Sequence, residues 1–399
     1  MSKIISVNAG SSSLKFQLFE MPSEKVLTSG IAERIGLDDG VFTIKVAGEK
    51  HVKEVVIKDH NVAVKMLLES LLEYNVVKDL SEISAAGHRV VQGGTFFDDS
   101  VIADEDSTSK VEALSHLAPL HNPANLIGYR SFKEALPEIE HVFVFDTAFH
   151  QSMKKDVYMY PVPYEWYTKY SVRRYGAHGT SHQYVAERCA ELMNKKIEDT
   201  KIITCHLGNG ASITAVDGGK SVNTSMGFTP LGGIMMGTRC GDIDPAIVTY
   251  IQNETKMSAD EINNALNKKS GMLGISGISS DARDIEAAVN SGNEQAKLTY
   301  DIYVNRVINT IGGYFLQMGG VDAIAFTAGL GENDTFLREL VLKAIESGLN
   351  LSIDYELNNK TRGKECCVSK ENSNVQVWIV PTNEELVIAR DTKRILGIV

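Results

Sequence analysis

At 399 residues with 43% apolar residues, the chain exceeds one ordinary hydrophobic core and predicts two domains. Its formal charge of −11, with no Lys/Arg block, excludes a nucleic-acid backbone or an anionic membrane surface as a partner outside local basic sites. No run reaches the ~18 uninterrupted apolar residues of a membrane span, and the opening MSKIISVNAG enters a strand pattern at once, so a cytoplasmic protein acting on small molecules is expected.

The first predicted element is a strand, a Gly-rich turn and a second strand from Lys3 to Phe19. Residues 41–46 and 52–57 read as further strands, and 62–74 carry apolar positions at helical spacing. Runs 85–91 and 141–145 suit buried strands, with a helix over 123–136 between them. Pro161, Pro163 and the aromatics Tyr158, Tyr160, Tyr164, Trp166 and Tyr167 interrupt this α/β pattern near residue 155. That places a first domain at 1–152 and a second at 153–384, with a closing helix over about 385–399 packing back on the first. The sheet of the second domain begins at Lys201, and the domain continues through a helix over 298–318, a strand over 321–327 and a helix from Thr335.

The second domain opens as the first does. Ile202 and Ile203 match Ile4 and Ile5, His206 matches Asn8, Gly208 matches Gly10 and Gly210 matches Ser12. Such turns let successive N–H groups line a concave anion site. One hairpin alone is weak, but its repetition across half the chain points to a two-domain phosphotransferase. Familiar alternatives are missing. Gly218–Gly219–Lys220–Ser221 lacks the upstream glycine of a P-loop, and GxGxxG, HExxH, GxSxG and paired CxxC do not occur. The five cysteines, Cys189, Cys205, Cys240, Cys366 and Cys367, have no metal or disulfide spacing and read as reduced packing residues.

The remaining inventory suits phosphoryl transfer, which needs positioning and charge neutralisation more than covalent chemistry. Arg89 ends a predicted strand and can fork onto a carboxylate or phosphate, or sit in a surface salt bridge. Asp146 ends another strand or caps a helix. His178 and His182 lie in a Gly-flanked loop suited to donation toward phosphate oxygens. Arg239 stands near Asp242 and Asp244, either facing a ligand or in an internally paired turn. Gly329–Asn333 follows a strand and precedes a helix, bringing backbone close to a nucleotide. Glu384 and Glu385 sit at a helix start, favourable with or without a metal.

In order along the chain, NAGSSSLK, GHRVV, FDTAFH, HGTSH, HLGNG, TSMGFTPL, GTRCGDIDP, GLGEN and TNEE resemble the acetate kinase family, within the acetate and sugar kinase, Hsp70 and actin superfamily. The resemblance runs end to end. It implies a two-domain actin-like ATPase fold with duplicated ribonuclease-H-like cores, ATP in the interdomain cleft, Mg2+ with Mn2+ as an alternative, and a homodimer. The implied reaction is reversible transfer of the ATP γ-phosphoryl group to acetate, giving acetyl phosphate and ADP.

The same resemblance assigns Asn8 and Glu384 to the metal, Lys15 to the nucleotide phosphates and Arg89 to the substrate carboxylate. His206, Leu207, Gly208, Asn209 and Gly210, then Asp281, Ala282 and Arg283, then Gly329, Leu330, Gly331, Glu332 and Asn333 match its nucleotide loops. His178 and Arg239 match its transition-state stabilisers, and Asp146 matches a residue described as a proton donor or acceptor. A carboxylic acid substrate is already ionised near neutral pH, so orienting Arg89 or a metal-bound water is the expected role of Asp146. Ala177 stands where the family often has Phe, near its acyl-methyl pocket, and predicts room for a longer acyl group. Gln92, Asn223 and Gly232 replace a common His, Asp and Glu without a functional reading. A propionate or butyrate kinase, a pyrophosphate-dependent relative, and an actin-like or Hsp70-like ATPase module are the alternatives.

Overall fold

The two repeated segments fold as antiparallel hairpins. In the computed structural model, which describes residues 1–119 and 121–398, β1 (Ser2–Ala9) pairs with β2 (Ser13–Met21) and sets Asn8 opposite Lys15. Around them lie β3 (Lys25–Glu33), β4 (Val41–Val46), β5 (Glu49–Glu54), β6 (Ile83–Val90), β7 (Val101–Ile102) and β8 (Glu140–Phe145). Their sheet order is β5-β4-β3-β2-β1-β6-β8-β7, with β1, β6 and β8 parallel. The second hairpin, β9 (Lys201–Leu207) and β10 (Ala211–Asp217), sets His206 opposite Ser212. With β11 (Lys220–Thr224), β12 (Ala323–Thr327), β13 (Cys366–Cys367) and β14 (Gln376–Ile379) it forms the order β11-β10-β9-β12-β14-β13. Here β9, β12 and β14 are parallel. Both sheets therefore share a three-strand meander followed by two parallel strands, the ribonuclease-H-like core duplicated in an actin-like fold.

The chain divides into two compact units, Met1–Phe149 with the segment from Asn383, and His150–Thr382. In the first, Leu67 and Phe132 of helices His60–Glu73 and Asn122–Ala135 join Ile5, Phe16 and Ile83 in one buried cluster. Strand alternation turns Val142 and Val144 of β8 to the other face, where Ile388 of helix Glu384–Ile395 covers them. That helix crosses β6 at Gly87, where a Cβ would fall 2.2 Å from Thr392 Oγ1 and 2.5 Å from Ile388 Cγ2. In the second unit, Val185 and Cys189 of helix Gly179–Leu192 pack on Ile202 and Ala325. Tyr303 and Val307 of helix Glu294–Met318, with Val341 of helix Thr335–Leu349, meet Ile203, Ile213 and Phe326 on the opposite face.

Two expectations shift. The strand expected over 52–57 is β5, Glu49–Glu54, because Ala47 and Gly48 both take positive φ and close a two-residue hairpin that sets the register with β4. The run Gly329–Asn333, matched to a nucleotide loop between a strand and a helix, lies within a short helix, Ala328–Asn333. Glu332 reaches back to accept from the Ala328 and Thr382 amides at 2.8 and 3.2 Å and so stabilises that helix. The helix is also tied from below by Arg338, whose buried guanidinium donates to Gly331 O, Asn358 Oδ1, Asn358 O and Thr361 O at 2.7–3.1 Å.

Candidate active site

In the first unit, three residues gather at strand ends. Asn8 lies near the end of β1, Arg89 near the end of β6, and Asp146 directly follows β8. Arg89 Nε donates to Asp146 Oδ1 at 2.8 Å and Nη2 to Oδ2 at 2.6 Å, a two-point fork on a carboxylate that is 1% exposed. Nη1 donates to Asn8 Oδ1 at 3.3 Å. Burial opposes the Arg89 charge, but the field and hydrogen bonds of Asp146, with Glu384 and Glu385 farther off, outweigh it and raise its pKa. The salt bridge expected as the bland alternative for Arg89 is thus present, but buried and shared with a predicted metal-binding residue.

Glu384 begins the helix Glu384–Ile395, whose N-cap Asn383 accepts from Leu386 N at 3.2 Å. Asn8 and Glu384 bring one amide oxygen and one carboxylate. Among the described residues no group of three or more His, Cys, Asp or Glu is placed to hold a metal ion. A hard cation such as Mg2+ is commonly held by one or two carboxylates together with substrate phosphates and water, so this oxygen pair fits it. Lys15, on the same hairpin, borders a small cavity with Lys45 and Glu385.

In the second unit, the hairpin turn at Gly210 faces two cationic or donor groups. A Cβ on Gly210 would lie 3.4 Å from Arg239 Nη1 and 3.6 Å from His178 Nε2. His178 takes φ 57°, just before helix Gly179–Leu192. Its ring stacks on His206 with centroids 4.0 Å apart, and its Nδ1 lies 2.8 Å from Ser212 Oγ. Gly176 (φ 81°) is required here, since a Cβ would come within 2.6 Å of both His150 Cδ2 and Thr224 Cγ2.

Arg239 donates to Pro230 O at 3.2 Å, and burial lowers its pKa. Asp242 accepts instead from Gly233 N and Asp244 from Ala246 N, so the internally paired turn does not form. Among the described residues no carboxylate forms an ion pair with Arg239.

Beside this turn lies a cavity of about 670 Å³. Gly208, Asn209, Asp281, Ala282, Arg283, Gly329, Leu330 and Asn333 line it, as do Ser280, Glu286, Asp334 and Arg362, which the sequence did not single out. Arg283, through its side chain and then its backbone N–H, pulls the Asp281 carboxyl down to about 2, and Asp281 caps helix Ala282–Asn290. Leu207 and Gly331 are buried, and Glu332 is engaged with backbone, so these three support the cavity from outside its lining. His206 is mostly buried and bonded through Nδ1 to Ser181 Oγ at 2.7 Å. Ala177 also turns inward, its methyl group in the core cluster with Ile203 and Cys205. Gln92 Oε1 accepts from Gly94 N, and Asn223 donates to Gln317, both local ties.

The Acetokinase family profile matches residues 3–390. The acetate kinase of Geobacillus kaustophilus (strain HTA426) is 55% identical over 399 residues, covering 100% of both chains. That of Bacillus subtilis (strain 168) is 56% identical over 395 residues, covering 99% of this chain and 100% of its own. Among solved structures, Porphyromonas gingivalis acetate kinase superposes with TM-score 0.94 at 45% identity, and a Francisella tularensis propionate kinase with 0.92 at 41%, each over 99% of this chain and 100% of its own. With a profile match along nearly its whole length and full-length relatives above half identity, the chain belongs to the acetokinase family.

Proposed function

We propose that the chain works as an acetate kinase, moving the γ-phosphoryl group of ATP to a carboxylate oxygen of acetate in a reversible, direct in-line step. The observation that carries this reading is Arg239, a half-buried cation with no carboxylate partner among the described residues, set with His178 beside Gly210 of a phosphate-type hairpin. A cation left in this state is unfavourable unless an anion completes it. Arg239 and His178 meet the transferring group, where preorganised donors act on charge as it develops.

The cavity between Gly208–Asn209, Asp281–Arg283 and Gly329–Asn333 takes the nucleoside end of ATP. Arg89 receives the acetate carboxylate. Asp146 holds the Nε–Nη2 edge of Arg89 and Asn8 takes one Nη1 proton, leaving one proton on each Nη for substrate. Because acetate is ionised near neutral pH, its oxygen attacks without a general base, and Asp146 acts by fixing Arg89. Asn8 and Glu384 would hold Mg2+, which when bound would supply neutralisation of the phosphate charge. Lys15, opposite Asn8 across the hairpin, adds positive charge near the same phosphates.

A cytoplasmic homodimer completes the proposal. Helices Tyr164–Tyr170 and Ala246–Thr255 bury no residue and expose Tyr164, Tyr170, Ile247 and Tyr250, a surface suited to a second copy. Among the described residues no helix is long and apolar enough to cross a membrane. The test of the activity is ADP release with ATP and Mg2+, in the presence of acetate, propionate, butyrate or no acceptor, with hydroxylamine trapping. Acetate-dependent ADP matched by acetyl hydroxamate is expected. Acceptor-independent ADP without hydroxamate would instead indicate an ATPase module.

A further inference from the structure

Behind His178 lies a chain of buried side chains that the reaction as described does not use. Ser212 Oγ stands 2.8 Å from His178 Nδ1 and 2.7 Å from His182 Nε2. On its far side, His182 Nδ1 is 2.7 Å from Thr204 Oγ1. Thr204, His182 and Ser212 are fully buried. Strand register makes the chain possible: Ser212 lies opposite His206 across β9 and β10, while His178 and His182 are four residues apart around the start of helix Gly179–Leu192. Burial, with His150 and His206 nearby, pushes the His182 pKa well below its ordinary value, so this ring is neutral and carries one proton.

A hydroxyl has a single proton, so Ser212 can donate to only one of its two imidazole neighbours. The tautomers of His178 and His182 are therefore coupled. Thr204 has two acceptors within reach, His182 Nδ1 at 2.7 Å and Thr214 O at 3.5 Å, the latter at the limit of hydrogen-bond geometry. Its proton goes to the nearer one. His182 then keeps its proton on Nε2 and donates to Ser212, and Ser212 donates to His178 Nδ1.

We infer that Thr204, His182 and Ser212 are positioning residues that hold the His178 proton on Nε2, the ring nitrogen that faces Gly210, so that His178 in its neutral form presents an N–H toward the transferring phosphoryl group. The orientation of His178 is then set by its neighbours before substrate arrives. This deepens the reading of His178 as a phosphoryl donor and rests on it.

The test is long-range 1H–15N correlation NMR of the full chain with 15N-labelled histidine, His178 signals being assigned by their loss in His178→Asn. The wild type should show a protonated Nε2 and an unprotonated Nδ1 at His178. In Ser212→Ala a second His178 tautomer should appear, and kcat should fall about tenfold with KM for ATP unchanged. Ser212→Thr, which keeps the hydroxyl, should restore both. A protonated Nδ1 in the neutral wild-type ring overturns the proposal whether or not the variants fold, as does Ser212→Ala with one tautomer and unchanged kcat. Full activity in His178→Asn would instead overturn the donor role of His178 and leave the tautomer result standing.

Discussion

Arg89 and Asp146 form a two-point fork, Nε to Oδ1 at 2.8 Å and Nη2 to Oδ2 at 2.6 Å, in which the carboxylate is buried and the guanidinium keeps a partly exposed edge. A carboxylate so engaged is poorly placed to accept a proton from substrate and well placed to aim an arginine. Asp146→Asn should therefore raise KM for acetate tenfold or more and reduce kcat much less, in steady-state kinetics at saturating ATP. A general base would produce the reverse split, with kcat falling and KM unchanged.

His88 and His141 are buried and joined Nε2 to Nδ1 at 2.9 Å beneath Tyr129 and Phe132. Burial pushes His141 down to about 4 and, with the His141 charge, holds His88 well below the usual range. Between about pH 6.5 and 4 the unfolded chain binds protons that the folded chain refuses, so stability is full above pH 6.5 and declines as pH falls through that window. Urea unfolding should show a lower midpoint at pH 5 than at pH 7.5, with a slope near 1.4 kcal/mol per pH unit for each such histidine. Replacing His141 by Phe should flatten the slope, and an unchanged midpoint in the wild type would refute the account.

Arg338 makes four hydrogen bonds that join helix Ala328–Asn333 to the 358–361 segment, next to Arg362 on the cavity wall. Lysine cannot reproduce that fork, and each buried carbonyl left unpaired costs roughly 1–3 kcal/mol. Arg338→Lys should lower Tm by several degrees and raise KM for ATP several-fold while leaving KM for acetate within twofold. An unchanged KM for ATP would show that the cavity does not depend on this anchor.

Ala177 is in the core of its unit, among Ile203 and Cys205. Ala177→Phe should accordingly cost about 1–3 kcal/mol by overpacking, read as a lower Tm, and alter the acetate-to-propionate ratio of kcat/KM by less than threefold. A large change in that ratio at unchanged Tm would support the acyl-pocket reading drawn from sequence instead.

The hairpins were legible because Gly, Asn and Ser at matched positions encode both the turn and its anion-binding capacity, independently of tertiary context. The exposed β5 was not. Its EKHVKE has no apolar face, so the Ala47–Gly48 turn sets its place while the apolar Val55, Val56 and Ile57 beyond it mislead. The helix at Gly329–Asn333 escaped notice because Glu332 closes it onto Thr382, fifty residues away. Arg89 and Asp146 were each legible as chemistry, but their pairing arises only from the parallel register of β6 and β8. Arg338 and Ser212 carried no local signal at all, since their meaning lies in buried partners distant in sequence.

Arg239 gives the most direct test. Arg239→Met should lower acetate-dependent hydroxamate formation about a thousandfold, leave calorimetric ADP affinity within fivefold, and leave Tm unchanged or raised, because a half-buried cation with no carboxylate partner among the described residues is replaced by an apolar chain. Acetyl phosphate formation within tenfold of wild type, from a folded variant that still binds ADP, would contradict the claim that this arginine neutralises the transferring group.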